Sequence, residues 1–314
     1  METNTSVLGQ PETLQTRDPH ELLTIFNDAQ DLPTLPEVAL RLQKTINDPK
    51  SNARDVARII EDDPAIAAKV LKVVNSVFYA SSSRMQITQL QPAIARLGFL
   101  TIANIALSTS VFGAFARAKW PIFDRREFWK HSICVGIVAS VLHDYCSEII
   151  YSGAKAAENI RNDSVHLAGI VHDLGKILFE KYANPEFHVA LKNAALEDIP
   201  AVKEEARFIG MGHDEAGAWL GVRWALGADI LAVLRWHHDP LACPDAKYLW
   251  LVKLIHMADY ICHNQKLGSS GNPSPSYDNR IREEFQLTTA RIAEVIDQAN
   301  AEAAKSEILL SLAE

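Results

Sequence analysis

The chain has 314 residues, 48% hydrophobic and 22% charged, enough to bury a full core and to form two sub-domains rather than one. A net charge of -8 and a pI near 5.8 leave no basic face for a nucleic-acid polymer, although local charge can still take a small phosphorylated ligand. Cys134, Cys146, Cys243 and Cys262 form no CxxC pair, so neither a disulfide framework nor a thiolate zinc site is expected.

Residues 1–20 read as a flexible, polar N-terminus without a signal peptide, and no apolar run reaches membrane-spanning length; a cytoplasmic location with no membrane partner is the expectation. Strand signals are almost absent, which makes the fold class all-α. Helices are expected near Glu21–Asn27 and Pro36–Asn47. From Ala53 to Ile60, Val56, Ile59 and Ile60 share one face while Arg54, Asp55 and Arg58 point outward. Asp63-Pro64 reads as an N-cap followed by proline at the first helical position, launching Ala65–Val74 with Ile66, Val70, Leu71 and Val74 as its apolar stripe. Further helices are expected at Gln91–Leu97 and Thr101–Phe115, so residues 21–118 form a first helical block.

A Trp120-Pro121 turn marks the boundary to a second helical block, 119–268. Inside it, Lys155–Asp163 is polar enough for a loop. Gly268–Asp278, with clustered Gly, Ser and Pro, is a flexible linker or an excursion, and residues 269–314 combine it with a last helix, Thr288–Leu312, that buries Ile292, Val295 and Ile296. That helix serves equally as a dimer contact or as part of the bundle, and the sequence does not fix the oligomeric state.

The second block carries a series of metal-competent residues: His131, the doublet His172-Asp173, His213, the doublet His237-His238, and Asp259. Imidazole nitrogens and carboxylate oxygens are the donors that hold hydrolytic divalent metals. Ala168–Lys176 reads as an apolar helix segment that abruptly presents a histidine, a carboxylate and a lysine. A buried aspartate costs several kcal/mol unless it is paired or ligates a metal. The doublet alone fits a structural His-Asp hydrogen bond equally well. Together the residues supply donors for two ions sharing Asp173, an arrangement that activates water and clamps a phosphoryl oxygen. Lys176 is placed to neutralise a phosphate, a solvated lysine being the commoner case. His256 reads as an ordinary polar residue.

The order His131, His172-Asp173, His213, His237-His238, Asp259, with Val171-His172-Asp173-Leu174-Gly175-Lys176 at its centre, resembles the HD-domain phosphohydrolase superfamily. Leu32-Pro33-Thr34-Leu35-Pro36, Asp48-Pro49, Asp62-Asp63-Pro64, Lys69-Val70-Leu71, Asn75–Tyr79 and Ala93–Gly98 narrow the resemblance to the HDOD domain, the HD-related output domain. The resemblance implies an N-terminal helical block packed on an HD-type helical bundle, acting as a bacterial signalling output module. It implies one ion on His131, His172, Asp173 and Asp259, and a second sharing Asp173 with His213, His237 and His238, iron or manganese being the expected metals. Many HDOD domains have lost these ligands; here every position is filled. The Gly-Tyr-Pro signature of the cyclic-di-GMP-hydrolysing HD-GYP relatives is absent, since His238 is followed by Asp239-Pro240-Leu241-Ala242-Cys243-Pro244. Three readings stand: a regulatory module that binds a signalling protein or small nucleotide; a metal-dependent phosphohydrolase of a nucleotide or small phosphoester, with Asp173 and Lys176 catalytic; and a metal-free scaffold whose histidines form a hydrogen-bonded network. With no receiver, sensor or DNA-binding segment in these residues, control is expected to act in trans.

Overall fold

The computed structural model describes residues 17–29, 32, 35–48, 50–75, 86–115, 124–151, 162–275 and 277–300. Among these there are helices and turns and no strand, as expected for an all-α chain. The 120–121 turn, residues 76–79, the 155–161 part of the polar loop and the end of the last helix fall outside the described residues; Asn162 and Asp163, expected in that loop, already belong to a helix, and residues 289–300 are helical.

The first helices are α1 (Pro19–Asp28), α2 (Glu37–Asn47), α3 (Ala53–Glu61), α4 (Pro64–Val74), α5 (Leu90–Leu97) and α6 (Phe99–Ala114). Their starts follow local chemistry. Asp63 caps α4, its side chain accepting from the backbone N–H of Ala65 and Ile66, with Pro64 at the first turn. Asn52 and Asp55 form a reciprocal capping box at α3, which buries Val56, Ala57, Ile59 and Ile60. The α4 stripe is Ile66, Val70, Val73 and Val74; Leu71 is only half-buried. Asn75 ends α4 and ties it to the segment before α5: its amide donates to the carbonyl of Ile87 at 2.6 Å and its oxygen accepts from the Ile87 N–H at 2.7 Å.

The second set comprises α7 (Arg125–Tyr151), α8 (Asn162–Val171), α9 (Leu174–Tyr182), α10 (Asn184–Glu197), α11 (Ala201–Phe208), α12 (His213–Arg223), α13 (Ala228–Trp236), α14 (Ala246–Asn264) and α15 (Asn279–Glu284). The long α7 packs along α8 and α14, and α12 packs between α9 and α13. Phe112 and Phe115 of α6 lie against Trp129 of α7, with ring centroids 4.7 and 6.2 Å apart, so the two helical sets share one apolar core. α1 sends Phe26 against Tyr182 and Trp219, and Arg17 just before it pairs with Glu186 at 2.9 Å. No single helix among the described residues is long and apolar enough to cross a membrane.

Of the two readings of Gly268–Asp278, the structure shows the excursion: Ser270 and Asn272 are buried, and the Ser269 N–H donates to the carbonyl of Glu127 at 3.0 Å. The Asn272 side chain accepts from the Ala201 N–H at the start of α11. The segment is a strap packed over α7 and α11.

Candidate metal centre

Helices α7, α12, α13 and α14 and the turn between α8 and α9 deliver the candidate residues to one point. His131 comes from α7, His213 opens α12, His237 and His238 follow the end of α13, and Asp259 lies on α14. Ala168–Lys176, read as an apolar helix segment, is two helices: α8 ends at Val171, His172 and Asp173 form the turn, and α9 begins at Leu174. Adjacent residues in a continuous helix point about 100° apart. The break lets His172 and Asp173 face the same interior.

Close backbone approach assembles the rest. A Cβ on Gly169 would lie 2.5 Å from the Cα of Gly136, so the α7–α8 contact beside His131 and His172 requires glycine. A Cβ on Gly175 would overlap the His213 carbonyl and come within 2.7 Å of the Gly217 N, so Gly175 lets α9 seat against the first turn of α12.

The side chains converge. His131 Nε2 lies 3.0 Å and His172 Nε2 3.6 Å from Asp259 Oδ1; His172 Nε2 is also 3.4 Å from Asp173 Oδ2. His213 Nε2 is 3.0 Å and His237 Nε2 3.9 Å from Asp173 Oδ1, and His238 Nε2 meets His213 Nε2 at 2.8 Å. Donor atoms close enough to share an ion fall into two groups, His131, His172 and Asp259, and Asp173, His213, His237 and His238. All are buried except the half-buried His238. Lys176, 1% exposed, does not face open space: its Nζ donates to Asp173 Oδ2 at 2.7 Å and to Ser270 Oγ at 3.1 Å.

The outward nitrogens of three imidazoles are anchored. His172 Nδ1 lies 2.7 Å from the Gly169 carbonyl, His237 Nδ1 3.0 Å from the Val233 carbonyl, and His213 Nδ1 2.5 Å from Glu205 Oε2. A carbonyl or carboxylate there selects the Nδ1–H tautomer and leaves the Nε2 lone pair for an ion, the arrangement typical of metal-ligating histidines. His172 Nε2 and His237 Nε2 are buried without a hydrogen-bond partner, and both face carboxylates. Lone pairs turned toward carboxylate oxygens need a cation or proton between them, so the donor set fits a divalent metal.

Electrostatics follow from the same geometry. Burial would raise the carboxyl of Asp173, but Lys176, His172 and His213 outweigh it and hold the group well below its ordinary range. Asp259 is likewise held well below, with His263, His131 and His172 overcoming burial. Burial, reinforced by His172 and His213, pushes His237 down to about 3. Burial opposes protonation of His213, yet the Glu205 carboxylate prevails and raises it to about 9.

Three participants went unremarked in the sequence. Glu205, on α11, accepts both the backbone N–H and the ring nitrogen of His213. Ser270 reaches Lys176 from the strap. His263, one helical turn after Asp259, places Nε2 3.4 Å from Asp259 Oδ1, and its ring lies 4.6 Å from that of His131. The spacing from Asp259 to His263 was the available signal, since positions four apart share a helix face. His256 stands apart from the donor groups and bonds the His237 carbonyl through Nδ1 at 2.8 Å, steadying the double histidine.

Similar proteins agree with this architecture. A curated relative from Treponema pallidum, described only as an uncharacterized protein, is 26% identical over 247 residues; these cover 78% of this chain but 45% of that one, so the chain spans under half its relative's length. An HDOD domain protein of unknown function from Geobacter sulfurreducens has a solved structure with a TM-score of 0.73 at 23% identity, covering 94% of this chain and 97% of the other. A Marinobacter aquaeolei protein provisionally named for signal transduction gives 0.75 at 18% identity, over 94% and 65% of the two chains. A Shewanella amazonensis protein provisionally named a metal-dependent phosphohydrolase gives 0.58 at 23%, over 94% and 99%. At these identities the structures share the fold. Residues 32–240, well over half of the chain, match the HDOD domain itself, and the chain belongs to the HDOD family.

Proposed function

We propose that this chain is a signalling module whose HD-type centre holds divalent metal and which acts by binding a protein partner or a small nucleotide. The observation that carries the metal centre is the set of three imidazoles fixed through Nδ1 with Nε2 turned toward two buried carboxylates. His131, His172 and Asp259 would hold one ion, and His213, His237 and His238 the other, with Asp173 shared between them and iron or manganese as the expected metals. Binding rather than turnover is favoured by burial. Only His238 is partly open to solvent, and Lys176 is engaged by Asp173 and Ser270.

A second reading, a phosphohydrolase of a nucleotide or small phosphoester, draws on the filled ligand positions. A bound divalent pair would polarise a phosphoryl oxygen and acidify water. Asp173 would serve both ions, and Lys176 would have to leave Ser270 to meet a phosphate. The first block and the second, divided near 118–119, would then act as a regulatory face and a catalytic body.

The deciding experiment is metal content per chain after expression with manganese and iron and purification without chelator, comparing wild type with Asp173→Ala. Near-stoichiometric metal that is lost in the variant, with no turnover of a broad phosphoester panel, is the expected result. Turnover abolished by Asp173→Ala would transfer the assignment to the hydrolase, and a metal-free wild type would remove the metal centre.

A further inference from the structure

We propose that a cleft between α2 and α3 binds a small phosphorylated ligand, its phosphoryl groups held by Arg41, Lys44, Lys50 and Arg58. The proposal rests on the small-nucleotide part of the function above and gives it a place. It does not depend on metal, since none of the residues lining the cleft belongs to the candidate donor groups. The cleft has a volume of about 430 Å³. Small-molecule sites run from about 300 to 1,000 Å³. Its walls follow from helical spacing: Arg41, Lys44 and Asp48 line up along α2 and its C-cap, Asp55 and Arg58 along α3, and Lys50 comes from the connecting loop. On a chain of net charge -8, four cations facing two carboxylates reverse the local sign.

The groups that would repel an anion are already engaged. Asp48 Oδ1 accepts from the Lys50 N–H at 2.9 Å, and Asp55 Oδ2 from the Asn52 N–H at 3.0 Å. At the end of α2, the Asp48 carbonyl accepts from Ser51 Oγ at 2.7 Å and from the Ser51 N–H at 3.0 Å, and Ser51 Oγ also lies against the Thr45 carbonyl. The same bonds fix the loop that carries Lys50, so this wall is set before a ligand arrives. The cations are available. Lys44, Lys50 and Arg58 are exposed and make no ion pair among the described residues. Arg41 has one nitrogen on Asp62 at 2.7 Å, in a partly exposed pair of small worth, and keeps its other N–H groups free to donate. Like charges gathered in one cleft repel one another until an anion sits between them. Ile59, 7% exposed, gives the cleft an apolar floor for the part of the ligand beyond its phosphates. A nucleic-acid polymer is a poor match, because it needs an extended basic stripe rather than a single cleft on an acidic chain.

The test is calorimetric titration of the full chain with inorganic pyrophosphate and with adenosine diphosphate, in EDTA so that no ion in the metal centre takes up phosphate. Wild type is expected to bind, and the double variant Lys44→Gln/Arg58→Gln to bind at least ~10-fold more weakly, since one hydrogen bond between charged groups is worth about that factor. Lys44→Arg/Arg58→Lys, which keeps both charges, should recover most of the affinity. Arg54→Gln/Lys203→Gln removes the same charge from exposed positions outside the cleft and should leave affinity nearly unchanged, because distant surface charges are screened. A wild type that binds neither probe would overturn the proposal, as would equal loss in the two glutamine doubles. Polyglutamate bound through Lys44 and Arg58, with neither phosphate probe bound, would also overturn it and assign the cleft to an acidic segment of a partner. Every substituted side chain is exposed, so the fold should persist in each variant. Metal content in wild type and Asp173→Ala is read separately, and either result can fail while the other stands.

Discussion

Glu205 is fully buried, and its carboxylate accepts from the His213 backbone at 2.9 Å and from the ring at 2.5 Å. Removing it as Glu205→Ala leaves a buried charged ring and a backbone donor unpaired, a change expected to cost about 3–5 kcal/mol in urea unfolding. The histidines also set how stability of the metal-free chain varies with pH. His213 binds its proton more tightly when folded, so its contribution is full below the ordinary 6.5 and is lost as pH rises through about 9. His237 is kept neutral, so its contribution is present above 6.5 and is lost as pH falls toward about 3. Asp173 and Asp259, held well below the ordinary 3.8, add a further loss beneath that value. Denaturant midpoints across pH 3–10 should peak near pH 6.5, and Glu205→Gln should flatten the alkaline side. An alkaline limb already flat in wild type would contradict the His213–Glu205 pairing.

Helix pairs hold the centre together through contacts that tolerate no side chain. Gly175→Ala would push its methyl into the carbonyl of His213 and the N of Gly217, separating α9 from α12. Overpacking of this kind costs about 1–3 kcal/mol or more, and here it also displaces a candidate ligand. The variant should lose thermal stability and metal together. Gly113→Ala on α6 is the contrasting case, with nothing within 4 Å of the added Cβ. It should leave metal content unchanged and raise stability by up to ~1 kcal/mol, the helix preference of alanine over glycine.

One apolar core runs through both helical sets, with Phe115 packed between Trp129 of α7 and Trp224 at the end of α12. A ligand bound only by the folded chain stabilises all of it: at 100 times its Kd, by about 2.7 kcal/mol. Manganese should therefore raise the midpoint of thermal unfolding and a chelator should lower it, with both shifts absent in Asp173→Ala. Calorimetry on the loaded and stripped chain checks this, and a midpoint indifferent to metal would count against a centre built into the core.

Much of this was legible in the chain because the signals are local. Asp63-Pro64 specifies a helix start through one side chain and one ring, and Val56, Ile59 and Ile60 specify a buried face through spacing alone. The order from His131 to Asp259 named the candidate donor residues, though not their grouping, because residue chemistry survives without coordinates. What needed the tertiary structure was relation between distant segments. The break at His172-Asp173 lies in an apolar run that suits a helix and that also allows a helix end before Gly175; the close seating of Gly175 on α12 accompanies it. Gly268–Asp278 has the composition of a linker, yet it carries Ser270 into contact with Lys176 because α7 offers a backbone carbonyl to Ser269. Sequence alone thus determined an all-helical chain with a reserve of metal donors. Only packing decided which donors meet, because convergence depends on backbone approach and on partners such as Glu205 and His263 that no short motif encodes.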